Sequence, residues 1–178
     1  LKDKNNPNIN KEIIKINGII QENAKKFYNI NQQNNQNNNN ESNGQSLKAC
    51  GYVGLQNLGA TCYMNSILQQ LFMIPTFRYA ILGTDDNESP KSSSITKYDP
   101  QDDNAFHQLQ VMYTFLTLSE QPYYNPQNFC RSYKDRNGNP INIRIQQDSQ
   151  EFYNDFCDKI EQHLKKTKYK YIINDIFT

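Results

Sequence analysis

The stretch that decides the fold is Gly51-Tyr-Val-Gly-Leu-Gln-Asn-Leu-Gly-Ala-Thr-Cys62-Tyr-Met-Asn-Ser-Ile-Leu-Gln-Gln-Leu-Phe-Met-Ile-Pro75. Its first part is rich in small residues. Gly51, Gly54 and Gly59 let backbone approach another chain closely. Thr61 and Cys62 then open a helix. Met64, Ile67, Leu68 and Leu71 recur at i, i+3, i+4 and i+7, which gives that helix one apolar face. Pro75 is expected to end it. A helix start carries free N–H groups and a partial positive charge, so it favours negative charge on a sulfur placed there. Taken by itself, Cys62 is either a thiol biased toward thiolate or a small core residue beginning a buried helix.

A second stretch, Gln146-Gln-Asp148-Ser-Gln-Glu151-Phe152, opens another helix that runs to about Lys166. Asp148 and Glu151 have capping-box spacing, with Asp as the cap. Tyr153, Phe156, Cys157, Ile160 and Leu164 form its apolar face. Acid at its start and Lys165 and Lys166 at its end complement the helix dipole.

The first stretch resembles the cysteine box of the ubiquitin-specific proteases, which reads Gly-Leu-x-Asn-x-Gly-x-Thr-Cys-Tyr-x-Asn-Ser. Gly54, Leu55, Asn57, Gly59, Thr61, Cys62, Tyr63, Asn65 and Ser66 agree with it without a gap. The second stretch resembles the family's Gln-Gln-Asp-x-x-Glu-Phe motif, in the expected order. The resemblance covers residues 50–178 and is strongest to the large fat-facets-type branch. It implies a deubiquitinase, a thiol-dependent isopeptidase working through a Cys62 thioester. Asn57 would be the oxyanion donor. Asp148 would hold the backbone of the ubiquitin tail, and Gln147 and Tyr63 are further candidates for that work. The partners implied are ubiquitin and ubiquitinated proteins, with no cofactor. A general papain-type motif, Cys-Gly-Ser/Ala-Cys-Trp/Tyr, does not fit Gly59-Ala-Thr-Cys62-Tyr.

The implied fold is mainly α: the helical thumb of an α+β papain-like cysteine protease, incomplete. Residues 47–178 would be a partial catalytic domain. Residues 1–46 read as a disordered tail, with an Asn/Gln tract at 31–40 that has nothing apolar to bury and a weak helix near 12–28. A helix is expected over 76–82, an exposed loop over 84–103, and a helix over 104–118 that is apolar on two sides and so sandwiched in the core. Tyr123-Tyr-Asn-Pro126 reads as a turn. Phe129, Cys130 and Tyr133 belong to a short amphipathic piece, and the alternation of Ile141, Ile143 and Ile145 suggests an extended segment.

The base is the missing part. A thiol protease needs an imidazole to share the cysteine proton and protonate the leaving amine. Only His107 and His163 are present, and neither lies in a context like the family's Gly-Gly-His-Tyr box. Both are expected to be bystanders, His163 at a solvated helix end. The Cys-x-x-Cys pairs of zinc-holding fingers are also missing, so no metal is expected. Leu1 at the start, with every methionine internal, suggests a piece of a longer protein that is inactive alone. A non-catalytic pseudo-deubiquitinase or partner-binding module is the competing expectation.

Composition narrows the partners. The formal net charge of the 178 residues is +1, which gives no strong field for nucleic acid or an anionic membrane. Lys165-Lys-Thr-Lys-Tyr-Lys-Tyr171 interleaves bases with aromatics but reads as a solvated helix end. No run is long and apolar enough to span a bilayer. The four cysteines show no disulfide-framework spacing, which suits a reducing compartment, the cytoplasm or nucleus.

Overall fold

The computed structural model describes residues 52–84, 104–119 and 121–177. The expected tail, its weak helix, the Asn/Gln tract and nearly all of the 84–103 loop lie outside those residues.

The cysteine box folds as a short strand and a helix, β1 (Gly54–Leu55) and α1 (Cys62–Met73). Tyr63, Met64, Leu68, Leu71 and Phe72 bury one face of α1, and Met64 and Leu68 are fully enclosed. Burying a leucine-sized side chain completely stabilises a fold by roughly 1.5–3 kcal/mol, so this face anchors the helix that carries Cys62. The helix stops at Met73, earlier than Pro75. Ile74 is both its C-cap and the N-cap of α2 (Pro75–Leu82). Pro75 starts the second helix because its fixed φ and missing N–H suit a first helical position.

The next helix, α3 (Ala105–Leu118), is sandwiched as its two-sided apolar pattern requires. Phe106, Leu109, Val111, Met112, Tyr113 and Leu116 are all buried. Asn104 caps it, its side-chain oxygen accepting from the amides of Phe106 and His107 at 3.1 and 3.3 Å. Tyr113 ties α3 to α1. Its ring meets Phe72 and Phe77 edge-on, and its hydroxyl donates to the Leu68 carbonyl at 3.1 Å.

Beyond α3 the chain departs from expectation twice. Tyr123 and Tyr124 are not a turn but a strand, β2, which pairs in parallel with β1, Gly54 opposite Tyr123 and Leu55 opposite Tyr124. The amides of Gly54 and Gln56 donate to the carbonyls of Pro122 and Tyr124 at 3.0 and 2.9 Å. Two residues per strand leave no periodicity to read. The alternating isoleucines are not a strand either. Ile141 is buried, Ile143 half-buried and Ile145 58% exposed. The chain turns there, with the Ile145 amide on the Asn142 carbonyl and the Arg144 amide on the Asn142 side chain.

Between these pieces, α4 (Gln127–Ser132) buries Phe129 and Cys130. A tight hairpin follows, bridged between Lys134 and Pro140 and turned by Gly138 at φ 79°. Asp155 fastens this hairpin to α5 (Ser149–Leu164): it accepts from the Tyr133 hydroxyl at 2.6 Å and pairs with Lys159 and, at 3.6 Å, with Arg136. Burial raises the pKa of the Asp155 carboxyl, but the bonds from Lys159 and Tyr133 outweigh it and hold the group below the usual range. Helix α5 packs on α1 with Phe152, Phe156, Ile160 and Leu164 buried. The closing stretch forms α6 (Ile172–Phe177), which packs on α2 and α5. The described residues are thus a helical body with a small sheet.

Candidate active site

Cys62 is the first residue of α1, and it is exposed, whereas Cys130 and Cys157 are buried thiols. Burial pushes the Cys130 thiol up to about 11 and raises that of Cys157 as well. Neither is suited to act as a nucleophile.

The sulfur looks into a groove of about 840 Å³ between the start of α1 and the start of α5. One wall is Cys62, Tyr63, Ser66, Ile67 and Gln70. The other is Gln146, Gln147, Asp148 and Ser149, and Tyr153 and Phe177 close one end. The fold therefore brings together four of the five site residues expected from sequence: Cys62, Tyr63, Gln147 and Asp148.

Asn57 stands outside that lining, on the exposed loop before α1. Its geometry is nevertheless well defined. Its side-chain oxygen accepts from the Gly59 amide at 3.1 Å, the Thr61 amide at 3.3 Å and the Thr61 hydroxyl at 3.0 Å. With Oδ1 engaged by three donors, Nδ2 is the end of the amide available to donate elsewhere.

Asp148 is the N-cap of α5. One carboxylate oxygen, Oδ1, accepts from the amides of Gln150 and Glu151 at 2.8 and 3.0 Å. The two readings of this residue are compatible, because a carboxylate has a second oxygen. Oδ1 serves the helix, and Oδ2 takes no part in the cap.

Tyr63 is mostly a packed aromatic. It is 5% exposed and stands edge-on to Phe152, with ring centroids 5.5 Å apart. Burial, reinforced by Cys130 and Cys62, pushes its hydroxyl up to about 12, so it stays protonated. It shapes the wall beside the sulfur.

The loop is held from two sides. From α1, the side chains of Asn65 and Gln69 donate to the carbonyls of Gln56 and Val53 at 3.1 and 3.0 Å. From the turn before α5, the Ile143 carbonyl accepts from the Ala60 amide at 2.7 Å. Gly59 has φ 137°, and a Cβ there would stand 2.7 Å from that same carbonyl oxygen. Sequence reasoning missed these supports. Asn65 and Gln69 were visible as a polar i, i+4 pair on a mainly apolar helix. The Ile143 carbonyl left no trace, because a backbone acceptor has no letter.

Neither histidine lines the groove. His163 is not at a solvated helix end as expected. Its ring stacks on Phe106 at 3.8 Å between centroids, 13° from parallel, at the far end of α5. His107 is half-buried on α3. Among the described residues, no three His, Cys, Asp or Glu side chains come together as metal ligands would.

An exposed thiol at a helix start, facing a groove whose other rim is a capping carboxylate, is the arrangement of a thiol hydrolase. Residues 53–178 match the family model described as ubiquitin carboxyl-terminal hydrolase, and the chain belongs to that family. Ubiquitin carboxyl-terminal hydrolase 24 of Mus musculus is 36% identical over 132 residues, covering 74% of this chain and 5% of its own length. Ubiquitin carboxyl-terminal hydrolase 9Y of Homo sapiens is 32% identical over 160 residues, with 71% and 6% covered. Ubiquitin carboxyl-terminal hydrolase puf of Drosophila melanogaster is 42% identical over 112 residues, with 63% and 3% covered. The chain thus spans only a small fraction of the length of the curated relatives it matches. The relatives bear out the likeness to the fat-facets-type branch.

Proposed function

We propose that this chain carries the nucleophile half of a deubiquitinase that hydrolyses isopeptide bonds at the C-terminus of ubiquitin. The observation that carries the reading is the shared groove: an exposed Cys62 on one rim, Gln147 and Asp148 on the other. The Cys62 thiolate attacks the carbonyl carbon of the last ubiquitin residue. The C–N bond breaks, the amine leaves with a proton from the base, and a thioester remains. Water then hydrolyses the thioester and restores the thiol. Asn57 Nδ2 and the Cys62 amide stabilise the oxyanion. Asp148 accepts N–H groups of the extended tail, which offers little side chain to grip, with help from Gln147, while Tyr63 walls the reacting centre.

A net charge of +1 favours a protein partner over nucleic acid or an anionic membrane. The four cysteines show no disulfide-framework spacing, which suits a reducing compartment, so the proposed setting is the cytoplasm or nucleus.

Ubiquitin bearing a C-terminal electrophile tests the reading. In the full-length protein it forms an adduct that mass spectrometry maps to Cys62 and that Cys62→Ala abolishes. Adduct formation surviving Cys62→Ala would reject the role. The position of both histidines away from the groove favours a second reading, a module that binds ubiquitin without cleaving it. That reading expects tight binding of ubiquitin by the full-length protein, with no adduct and no turnover.

A further inference from the structure

Thr61 is an N-cap residue that does not cap. Threonine at this position ordinarily turns its hydroxyl onto the amides of the first helical turn. Here no side-chain bond reaches the start of α1. The hydroxyl points back into the loop, where it accepts from the Leu58 amide at 3.1 Å and donates to Asn57 Oδ1 at 3.0 Å. Thr61 is completely buried, so no solvent competes for these bonds.

The diversion has two effects on the reacting centre. It leaves the first amides of α1, beside the sulfur, without a side-chain acceptor. It also adds the third donor to Asn57 Oδ1, and this is the only one of the three that comes from a side chain. The other two are the backbone amides of Gly59 and Thr61. An Asn side chain can flip its oxygen and nitrogen with almost no change of shape. Thr61 is fully buried, and the acceptor its hydroxyl proton meets is Asn57 Oδ1. The flipped amide would set N–H₂ against that O–H and against the Gly59 and Thr61 N–H groups, leaving the buried hydroxyl proton without its acceptor.

From this geometry we infer that Thr61 is a positioning residue: its hydroxyl fixes the Asn57 amide with Nδ2 outward, ready to donate to the oxyanion. The inference rests on the assignment of Asn57 as oxyanion donor.

The test is a double-substitution cycle in the full-length protein, read with a fluorogenic ubiquitin substrate. Thr61→Val keeps the shape and removes the hydroxyl, and Thr61→Ser restores it. Removing an oxyanion donor costs about a hundred- to a thousandfold in kcat. Losing only its orientation should cost part of that, so Thr61→Val is expected to lower kcat by about ten- to a hundredfold with KM within about twofold. Thr61→Ser should return kcat to within about threefold of the parent. Adding Thr61→Val to Asn57→Ala should cost little more, because the two act through one group. Alkylation of Cys62 by iodoacetamide builds no oxyanion, so its rate should stay within about twofold in Thr61→Val. A lesion that simply loosens the loop would alter both reactions. If Asn57→Ala is impaired but Thr61→Val is not, or if their losses multiply, the inference is overturned. If Asn57→Ala itself has normal kcat, the oxyanion assignment fails first, and this inference with it.

Discussion

Asp148 caps α5 through one oxygen and is proposed to hold the ubiquitin tail through the other, and single substitutions can separate the two. Asparagine caps helices as well as aspartate does, whereas alanine does not, and losing such a cap costs about 1 kcal/mol. Asp148→Asn should therefore leave the unfolding free energy nearly unchanged, while Asp148→Ala lowers it by about that amount. For the ubiquitin tail the order differs. Hydrogen bonds to a charged group contribute roughly 1.5–3 kcal/mol, so Asp148→Asn is expected to raise KM by about tenfold or more. A normal KM in Asp148→Asn, found together with the alanine stability loss, would leave Asp148 with its cap alone. At this scale the sequence was informative wherever a letter and its spacing named the job. Cys62 at a helix start and Asp148 three residues before Glu151 were both legible. The Thr61 hydroxyl was not, because Thr before a helix reads as a cap, and only its rotamer shows that it faces Asn57 instead.

At the scale of elements, the loops hold the site together, and two glycines show how. Gly59 and Gly138 both have positive φ, 137° and 79°. A Cβ on Gly138 would meet nothing within 4 Å, whereas one on Gly59 would run into the Ile143 carbonyl. Gly138→Ala should thus cost only the left-handed backbone, about 1–2 kcal/mol, with kcat unaltered. Gly59→Ala must also push the Ala60 amide off the Ile143 carbonyl. It is expected to cost more stability and to lower kcat at least tenfold, since the loop that carries Asn57 would shift. Denaturant unfolding and steady-state kinetics on the pair decide it; equal effects on kcat would show that the Ile143 contact is irrelevant to the site. Helices were the legible elements, because their apolar faces repeat: Met64, Leu68 and Leu71 on α1, Phe152, Phe156, Ile160 and Leu164 on α5. The short pieces were misread for the converse reason. β2 exists because Pro122 and Tyr124 carbonyls meet the backbone of β1, and Ile141 to Ile145 bend because Asn142 accepts two amides within the same turn. Neither cause leaves a pattern of side chains.

At the scale of the whole molecule, the question is whether this chain can complete a reaction by itself. Its groove sets an exposed thiol against a capping carboxylate, but a thiol protease also needs an imidazole within hydrogen-bond reach of the sulfur or of the departing amine. His163 is on the same helix as Asp148 but about four turns further on, a distance of roughly 22 Å along the axis. There its half-buried ring is stacked on Phe106. Bringing it to Cys62 would require α5 to be taken apart, together with the buried cluster of Phe152, Phe156 and Ile160. His107 is half-buried on α3, and it too is not among the residues that line the groove. The 178 residues alone should therefore cleave a fluorogenic ubiquitin substrate no faster than the same chain with Cys62→Ala, even where circular dichroism shows both folded. Turnover above that background would mean that a histidine reaches the sulfur in a conformation other than this one. Substituting His107 and His163 singly would then show which, and the division of labour proposed for the full-length enzyme would have to be redrawn around it.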